Sequence, residues 1–539
     1  SRVPHRRDVV LLPQLRGARG GHVRRTRRAR AGLIPPAPDR GEFTRLAASH
    51  AVVPVWREVL ADSVTPVSAF LRLQRPGADA FLLESVEGGE RWGRYSFVGG
   101  DAFTTVTAKD GRVWAEGDAP LLPAEEEPPL AYVRRLLAAL RGPAIASLPP
   151  FHGGAVGFLG YDCVRELESL PGAPPDDLSL PDLALLLTRS LTVFDHLRQR
   201  AVVITNVSVG PETDLDRAYD DATDRCDELT ARLLTPVPDA PPPLPAQAST
   251  APLGSCAVSD DLYEEWVARC KDHIHAGDAF QIVPSRRFEV PLSGSAFGAY
   301  RILRTLNPSP YMYFFRFGER GEHPAFELAG SSPEPLVRVQ EGAIVTRPIA
   351  GTRPRGVDEA DDEALAADLM SDDKERAEHV MLVDLARNDV GRVARYSSVS
   401  VEELMVVERY SHVMHIVSSV TGRLRDDKTA FDALTACFPA GTVSGAPKVR
   451  AMQIIDSLER TRRGPYAGAV GYLDFSGNLD TCITIRTIVA TGGRAYVQAG
   501  AGVVADSVPA AEADETRRKA EVLLQAVAGA GAGPEAGAR

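Results

Sequence analysis

Short runs in which apolar and polar residues alternate, broken by Gly, Pro, Asn and Asp, dominate the first half of the chain. Such period-two runs turn one face of a strand toward a core. Runs at 81–85 and 94–98 predict strands on either side of the turn-rich Glu87-Gly88-Gly89-Glu90. Asp110-Gly111 lies between runs at 104–109 and 112–116, which predicts a hairpin. The stretch 153–160 reads as a glycine-studded apolar strand, and 185–195 and 200–209 as two more. Apolar residues three and four apart predict helices at 130–140 and 214–234. A helical pattern around 55–60 follows the lead-in from residue 36.

Seven prolines between 235 and 255 interrupt both periods and predict a semi-extended linker. Beyond it a helix is predicted at 259–276, with Ser259 as its N-cap and acids in its first turn. Strands are predicted at 279–282, 311–317, 326–331, 336–340, 343–348, 414–421, 470–475, 480–489 and 494–499. Long helices fit 358–387, 429–437, 448–458 and 509–527. Strands outnumber helices and adjoin through short turns. That predicts an α+β fold of antiparallel sheets with helices packed outside, rather than a regular βαβ alternation.

Composition adds limits. The chain has 539 residues, 44% hydrophobic and 25% charged, enough to bury a large core. Wholesale disorder and small disulfide scaffolds are excluded. No run approaches the roughly 18 apolar residues of a membrane helix, and no secretory h-region occurs, so no membrane contact is expected. The six cysteines show no CxxC and no regular spacing, and read as reduced, mostly buried thiols of a cytoplasmic protein. The net charge of −11 hides a basic segment: residues 1–45 hold twelve Arg against three acids. That segment lacks the interleaved aromatics of a single-strand binder, and the rest of the chain is acidic, so no nucleic-acid partner is expected. Residues 1–42 are read as a disordered arm. Lysine is scarce, six against 55 arginines, which draws attention to Lys374, Lys448 and Lys519.

Several residues suggest chemistry. Glu375 and Glu378 are three apart in one helical pattern. Glu512 and Glu515 repeat the spacing on the last helix, with Lys519 one turn on. Two such faces brought together could surround Mg²⁺, which takes few carboxylates plus waters and an anionic substrate. The same spacing also fits two solvated helix faces. His415 lies in a β-branched strand pattern, either as a general acid/base or as a satisfied core histidine. The small-residue loop 441–448 precedes a helix and either binds an anion there or is an ordinary turn. It is not a Walker loop. Residues 500–505 match GxGxxA literally, but 503–505 are expected to continue a strand, so the match is no dinucleotide fingerprint. No GxSxG, HExxH or EF-hand loop occurs. His273 and His275, two apart on a helix, point away from each other.

Taken together, several motifs resemble the chorismate-utilising enzymes. They are Gly277-Asp278-Ala279-Phe280-Gln281-Ile282-Val283, Gly330-Ser331-Ser332-Pro333-Glu334 and Arg347-Pro348-Ile349-Ala350-Gly351-Thr352-Arg353-Pro354. Glu375-Arg376-Ala377-Glu378-His379, running into 382–389, the loop 441–448, and Gly500-Ala501-Gly502 with 512–519 complete the set. The similarity covers about residues 43–527. The resemblance implies a two-domain α+β protein, an antiparallel β-sheet sandwich with helices outside. Its parts would be a regulatory domain at 43–234, a linker at 235–255, a chorismate-binding catalytic domain at 256–527 and a disordered tail at 528–539. It implies Mg²⁺ as cofactor, with Glu378 and Glu515 as ligands and Glu375 and Glu512 as supporting neighbours. Gly351, Thr352, Tyr466, Arg486, Gly500, Ala501, Gly502 and Lys519 match substrate-binding positions. His415 matches the catalytic histidine, and Thr442 a position at the site.

The implied activity is amination of chorismate at C2 and loss of pyruvate, giving anthranilate, the first step of tryptophan synthesis. Ammonia would come from glutamine through a separate glutamine amidotransferase subunit, the two forming a heterotetramer. In the family, water-using members carry Lys where Gln281 stands, and many that aminate C4 carry Lys where Ala350 stands. Ser85 and the run Pro310-Tyr311-Met312 resemble a feedback site, which implies inhibition by L-tryptophan. The competing readings are a 2-amino-2-deoxyisochorismate or 4-amino-4-deoxychorismate synthase of the same family, and a catalytically silent subunit that only scaffolds a partner.

Overall fold

The computed structural model describes residues 35–85, 93–118, 121–124, 126–237, 254–410 and 413–531. The chain divides into two compact units, Ser1–Pro35 and Pro36–Arg539, and all the elements that follow lie in the second. The turn expected at 87–90, the arm before residue 35, the linker between 238 and 253 and the tail after 531 lie outside the described residues.

Two long strands, Tyr95–Lys109 and Leu183–Asp195, pair antiparallel along most of their length and form a spine. Leu183–Asp195 is buried at nearly every position, so it reads as a continuous apolar run rather than an alternating one. Its other side is shared. Gly154–Leu159 takes the first half and Arg200–Ser208 the second.

Two arms leave this spine. One runs through Ala80–Glu84, Tyr311–Phe317, Phe326–Ser332, Thr487–Thr491, Arg494–Gly500 and Ser285–Pro291. The other runs through Gly154–Leu159, Ala469–Asp474, Leu479–Ile483, Pro335–Gln340, Ala343–Thr346 and Val413–Arg423. Val413–Arg423 also pairs with Ile349–Pro354 and Ser400–Arg409. Every one of these ladders is antiparallel.

Side chains from both arms meet in one aromatic layer, with Phe81, Phe315 and Phe317 from the first and Phe158 and Tyr472 from the second. Phe151 stacks on Tyr472 with ring centres 4.3 Å apart, and Phe317 on Phe326 at 4.9 Å. Such stacks add about 0.5–1.5 kcal/mol each beyond the area they bury. Helices Pro66–Leu73, Ala296–Leu306 and Pro509–Ala530 pack on the outside of the first arm. Pro129–Ala139, Asp373–Gly391 and Ala430–Cys437 pack on the outside of the second. The result is the antiparallel sandwich with outer helices that the patterning predicts. Strands from either side of the linker pair directly: Ala80–Glu84 with Tyr311–Phe317, and Gly154–Leu159 with Ala469–Asp474.

Pattern and structure differ in several places. The expected helix around 55–60 is the strand Val52–Leu60, held along its length by Arg200–Ser208. So short a run fits either period, and the ladder decides it. The helix before it is Arg40–Ala47, which starts inside the expected arm because Asp39 caps it and buried Phe43 packs on Tyr219. The helix expected at 358–387 is two, Glu359–Ser371 and Asp373–Gly391. Asp372 ends the first and caps the second, its carboxylate accepting from the Lys374 and Glu375 N–H groups.

The strand expected at 480–489 is also two, because Arg486 adopts φ +50° between Leu479–Ile483 and Thr487–Thr491. Arg494–Gly500 ends at its glycine rather than continuing through 503–505, and only Val503 returns, to a bridge with Ile282. The last helix reaches Ala530, inside the expected tail, because buried Ala526 and Val527 seat it on the core. Five of the six cysteines are buried, Cys256 is half-buried, and all are free thiols. No described helix is long and apolar enough to cross a membrane.

Candidate active site

Four carboxylates come from two helices on opposite arms, Glu375 and Glu378 from Asp373–Gly391, and Glu512 and Glu515 from Pro509–Ala530. Within each pair the i,i+3 spacing puts both on one face. The two faces converge. Burial pushes the Glu378 carboxyl up, and the charges of Glu375 and Glu515 push the same way against a hydrogen bond from Gln281. Burial pushes Glu512 up as well, with Glu515 adding to it.

Gln281 Nε2 donates to Glu378 Oε1 at 2.7 Å, while its own Oε1 is buried without a partner. Glu375 lies 3.5 Å from the Arg353 guanidinium. Lys519 Nζ lies 2.5 Å from Glu515 Oε1 and donates to the Gly500 carbonyl at 2.9 Å. No three His, Cys, Asp or Glu side chains form a ready-made metal cage among the described residues. Mg²⁺ needs no such cage, since it keeps several waters and substrate oxygens. An open cluster of mutually repelling carboxylates fits it.

Two glycines make room here. Gly351 adopts φ +68°, and a Cβ there would lie 2.9 Å from Leu369 Cδ1 and 3.1 Å from Glu375 Oε2. A Cβ on Gly502 would lie 2.8 Å from Gln281 Nε2. Both positions therefore admit close approach of backbone to polar groups that larger residues would block. Gly500 and buried Ala501 continue the same wall, with the Ala501 N–H 3.3 Å from the Tyr263 hydroxyl.

His415 sits on Val413–Arg423 directly opposite Thr352. Its Nδ1 is 2.9 Å from the Gly351 carbonyl oxygen and 3.1 Å from Thr352 Oγ1. A carbonyl only accepts, so Nδ1 carries the hydrogen and Nε2 keeps its lone pair. Burial lowers the pKa of His415, Gly351 opposes that, and Arg486 lowers it further, so the ring is neutral near pH 7.

Arg486 occupies the strand break described above. Burial lowers its pKa while Glu515 and Tyr466 raise it, and no ion pair to it occurs among the described residues. Enclosing a guanidinium without a counter-ion is costly, so this position favours an anionic ligand. Burial pushes neighbouring Tyr466 up to about 12.

Thr442 lies in the one-turn helix Gly441–Ser444 and donates to Glu334 Oε1 at 2.9 Å. No spacing in the sequence singles out Glu334. Burial pushes its carboxyl up to about 8, against the Thr442 hydrogen bond and the charge of Lys519. It is therefore a neutral acid at pH 7, close enough to Lys519 to feel its charge. The available signal was its place at the end of the Gly330-Ser331-Ser332-Pro333-Glu334 motif, between Pro333 and Pro335, where two strands of the core meet.

The remaining expected residues come together elsewhere. Ser85, Pro310, Tyr311 and Met312 line one cavity of about 600 Å³, with Glu84, Arg94 and Asp480. Ser85 Oγ is buried without a partner. The Tyr311 hydroxyl donates to Asp480 at 2.9 Å, and Glu84 accepts from the Tyr300 hydroxyl at 2.6 Å. None of the carboxylates of the two helices, nor His415, lines this cavity.

A family model described as a chorismate binding enzyme matches residues 80–525. Anthranilate synthase component 1 of Mycolicibacterium smegmatis is 48% identical over 507 residues, 93% of this chain and 96% of that protein. The protein of the same name from Pseudomonas aeruginosa is 48% identical over 501 residues, 91% of this chain and 98% of its own. The crystal structure of anthranilate synthase component I from Streptococcus pneumoniae TIGR4 matches with a TM-score of 0.70 at 35% identity, covering 86% of this chain and 99% of that one.

Proposed function

Because the chain belongs to the chorismate-binding enzymes and, within them, to the anthranilate synthase component 1 family, we propose that it converts chorismate and ammonia to anthranilate and pyruvate through 2-amino-2-deoxyisochorismate, the first step of tryptophan synthesis. The observation that carries this reading is the match over more than nine-tenths of the chain to relatives of that one name. Ala350, beside Gly351 in the site, supports amination at C2, since it offers no amine to attack that carbon.

Arg486 and Lys519 receive the two carboxylates of chorismate. Glu378 and Glu515, with Glu375 and Glu512 beside them, would hold Mg²⁺, which would supply positive charge to the ring carboxylate and so favour loss of the C4 hydroxyl. Glu334 gives its proton to that departing hydroxyl, and Thr442 holds the other carboxyl oxygen. Ammonia attacks C2. His415 Nε2 then takes the C2 proton as the enolpyruvyl C–O bond breaks, and pyruvate leaves as the ring becomes aromatic. Gly351, Thr352, Tyr466 and the 500–502 backbone enclose the ring.

Ammonia comes from glutamine on a separate amidotransferase subunit, in keeping with the component number in the relatives' name, and the two assemble as a heterotetramer. Residues 43–234 are the regulatory part and 256–527 the catalytic part. L-Tryptophan occupies the 600 Å³ cavity and biases an equilibrium between two arrangements of the protein. Ser85→Phe puts an aromatic ring into that cavity. It is expected to raise the tryptophan concentration for half-inhibition at least about tenfold while leaving uninhibited kcat within about twofold. Unchanged inhibition would remove the site from this cavity.

The function is tested by mixing the chain with chorismate, Mg²⁺ and excess ammonium at mildly alkaline pH, following anthranilate fluorescence and pyruvate in parallel. Equal yields of the two products are expected, and none with a chelator. Chorismate consumed without pyruvate would sink the reading in favour of an aminodeoxy product.

A further inference from the structure

Lys448 opens the helix Lys448–Leu458 and has no part in the chemistry above. Its Nζ lies 3.0 Å from Asp389 Oδ2, with the two side chains only 10% and 7% exposed. Asp389 belongs to the last turn of Asp373–Gly391, the helix that carries Glu375 and Glu378. Glu378 and Asp389 are eleven residues apart, three turns plus about 20°, so they share a face and lie about 16 Å from each other.

Both ends of that face are attached to the same piece of chain. At one end Gln281 donates to Glu378. Gln281–Ile282 pairs with Gly445–Ala446, two residues before Lys448, and the Phe280 N–H donates to the Ala446 carbonyl at 2.7 Å. That piece of chain also carries Thr442. His379 adds a second contact at the Glu378 end, with Nε2 2.6 Å from Ser418 Oγ on the His415 strand. At the far end the more exposed Arg392–Glu168 pair is 3.9 Å apart and weak beside Asp389–Lys448.

The two attachments differ in one respect. Glu378 Oε1 can accept from Gln281 and hold a ligand together, but the two then share its lone-pair density, so the Gln281 hydrogen bond is the attachment a ligand draws on. The Asp389–Lys448 contact has no such competitor. We propose that Asp389 and Lys448 are a positioning pair that keeps the Glu375–Glu378 helix in register with Gln281 and Thr442 while Glu378 is engaged by its ligand. The choice of ligand rests on the function proposed above, whereas the pair itself does not.

The test removes both charges together, with Asp389→Asn and Lys448→Met in one chain, because one buried charge left alone would unfold more than it reports. Lys448→Arg keeps the pair and is the rescue control. Chorismate with Mg²⁺, without ammonia, is titrated calorimetrically, and KM and kcat are measured with ammonium. The double variant is expected to bind chorismate roughly tenfold more weakly and to raise KM by the same factor, with kcat within about threefold. Lys448→Arg is expected to stay within about threefold of the parent in each constant.

Parental binding in the double variant, a fall in kcat at unchanged KM, or an equal loss in Lys448→Arg overturns the proposal. If the parent binds no chorismate, the proposed function has failed, and the pair is then judged by amide hydrogen exchange over 375–379. Exchange there must speed up about tenfold in the double variant and not in Lys448→Arg. Unchanged exchange overturns the pair whatever the ligand.

Discussion

His415→Ala is expected to split the reaction in two. Chorismate should still be consumed with ammonia, while anthranilate and pyruvate form about 10²–10⁴ times more slowly and 2-amino-2-deoxyisochorismate accumulates. The expectation follows from geometry. His415 Nδ1 is held by the Gly351 carbonyl and Thr352, so the lone pair that can take a proton is on Nε2. Burial lowers the ring's pKa, so this base stays neutral below the ordinary histidine range, and the second step should lose rate only at correspondingly lower pH. Liquid chromatography of the products with coupled pyruvate detection reads both halves. Loss of chorismate consumption together with pyruvate would move His415 to the first step.

Glu334→Gln is expected to stop the earlier step. The amide has the shape of the acid and still receives the Thr442 hydroxyl, but it has no proton to give to the leaving C4 hydroxyl. Chorismate consumption should fall about 10²–10⁴-fold, with little change in KM. In the parent, this step should fade as pH rises through about 8, where Glu334 loses its proton. A rate-pH profile with that limb in the parent and none in the residual activity of the variant would bear this out. An unchanged kcat would remove Glu334 from the chemistry.

The same residue couples to stability. Its folded pKa of about 8 lies above the ordinary carboxyl value of 4.5, so the folded chain holds a proton the unfolded chain releases. That contribution is fully present below about pH 4.5 and is lost as pH climbs toward 8. Melting temperatures of Glu334→Gln should therefore fall less over this range than those of the parent.

The strands were legible wherever alternation and turn residues agree. Arg112–Gly117, alternating and led in by Asp110-Gly111, lies where its pattern puts it. Periodicity does not say which strands pair, and so it leaves open the joining of Gly154–Leu159 to Ala469–Asp474. Nor does it mark a break that no Gly or Pro announces. Only a one-residue slip in alternation, the two polar residues Arg486-Thr487 in a row, accompanies the φ +50° of Arg486, the bend that leaves a guanidinium enclosed in the site.

The four glutamates were visible as i,i+3 pairs. Their convergence is not a property of either helix alone, because it depends on Asp372 restarting the chain as a new helix and on Pro509–Ala530 crossing from the other arm. Glu334 stood in the sequence as the end of the 330–334 motif, but it was given no role there, because a lone acid has no period. Its importance lies in burial, which only the packed strands create.

A ribosome making this chain releases Gly154–Leu159 about 310 residues before its partner Ala469–Asp474 exists. At about 5–20 residues per second the wait is roughly 15–60 s. Leu183–Asp195 arrives soon enough to cover one edge of the waiting strand, but its other edge stays open, apolar and unpaired throughout. Open edges of this kind join whatever strand they meet, including the same strand on a neighbouring nascent chain. Shielding of that edge during synthesis is therefore expected to raise the yield of native protein, and slowing translation downstream of residue 200 to lower it.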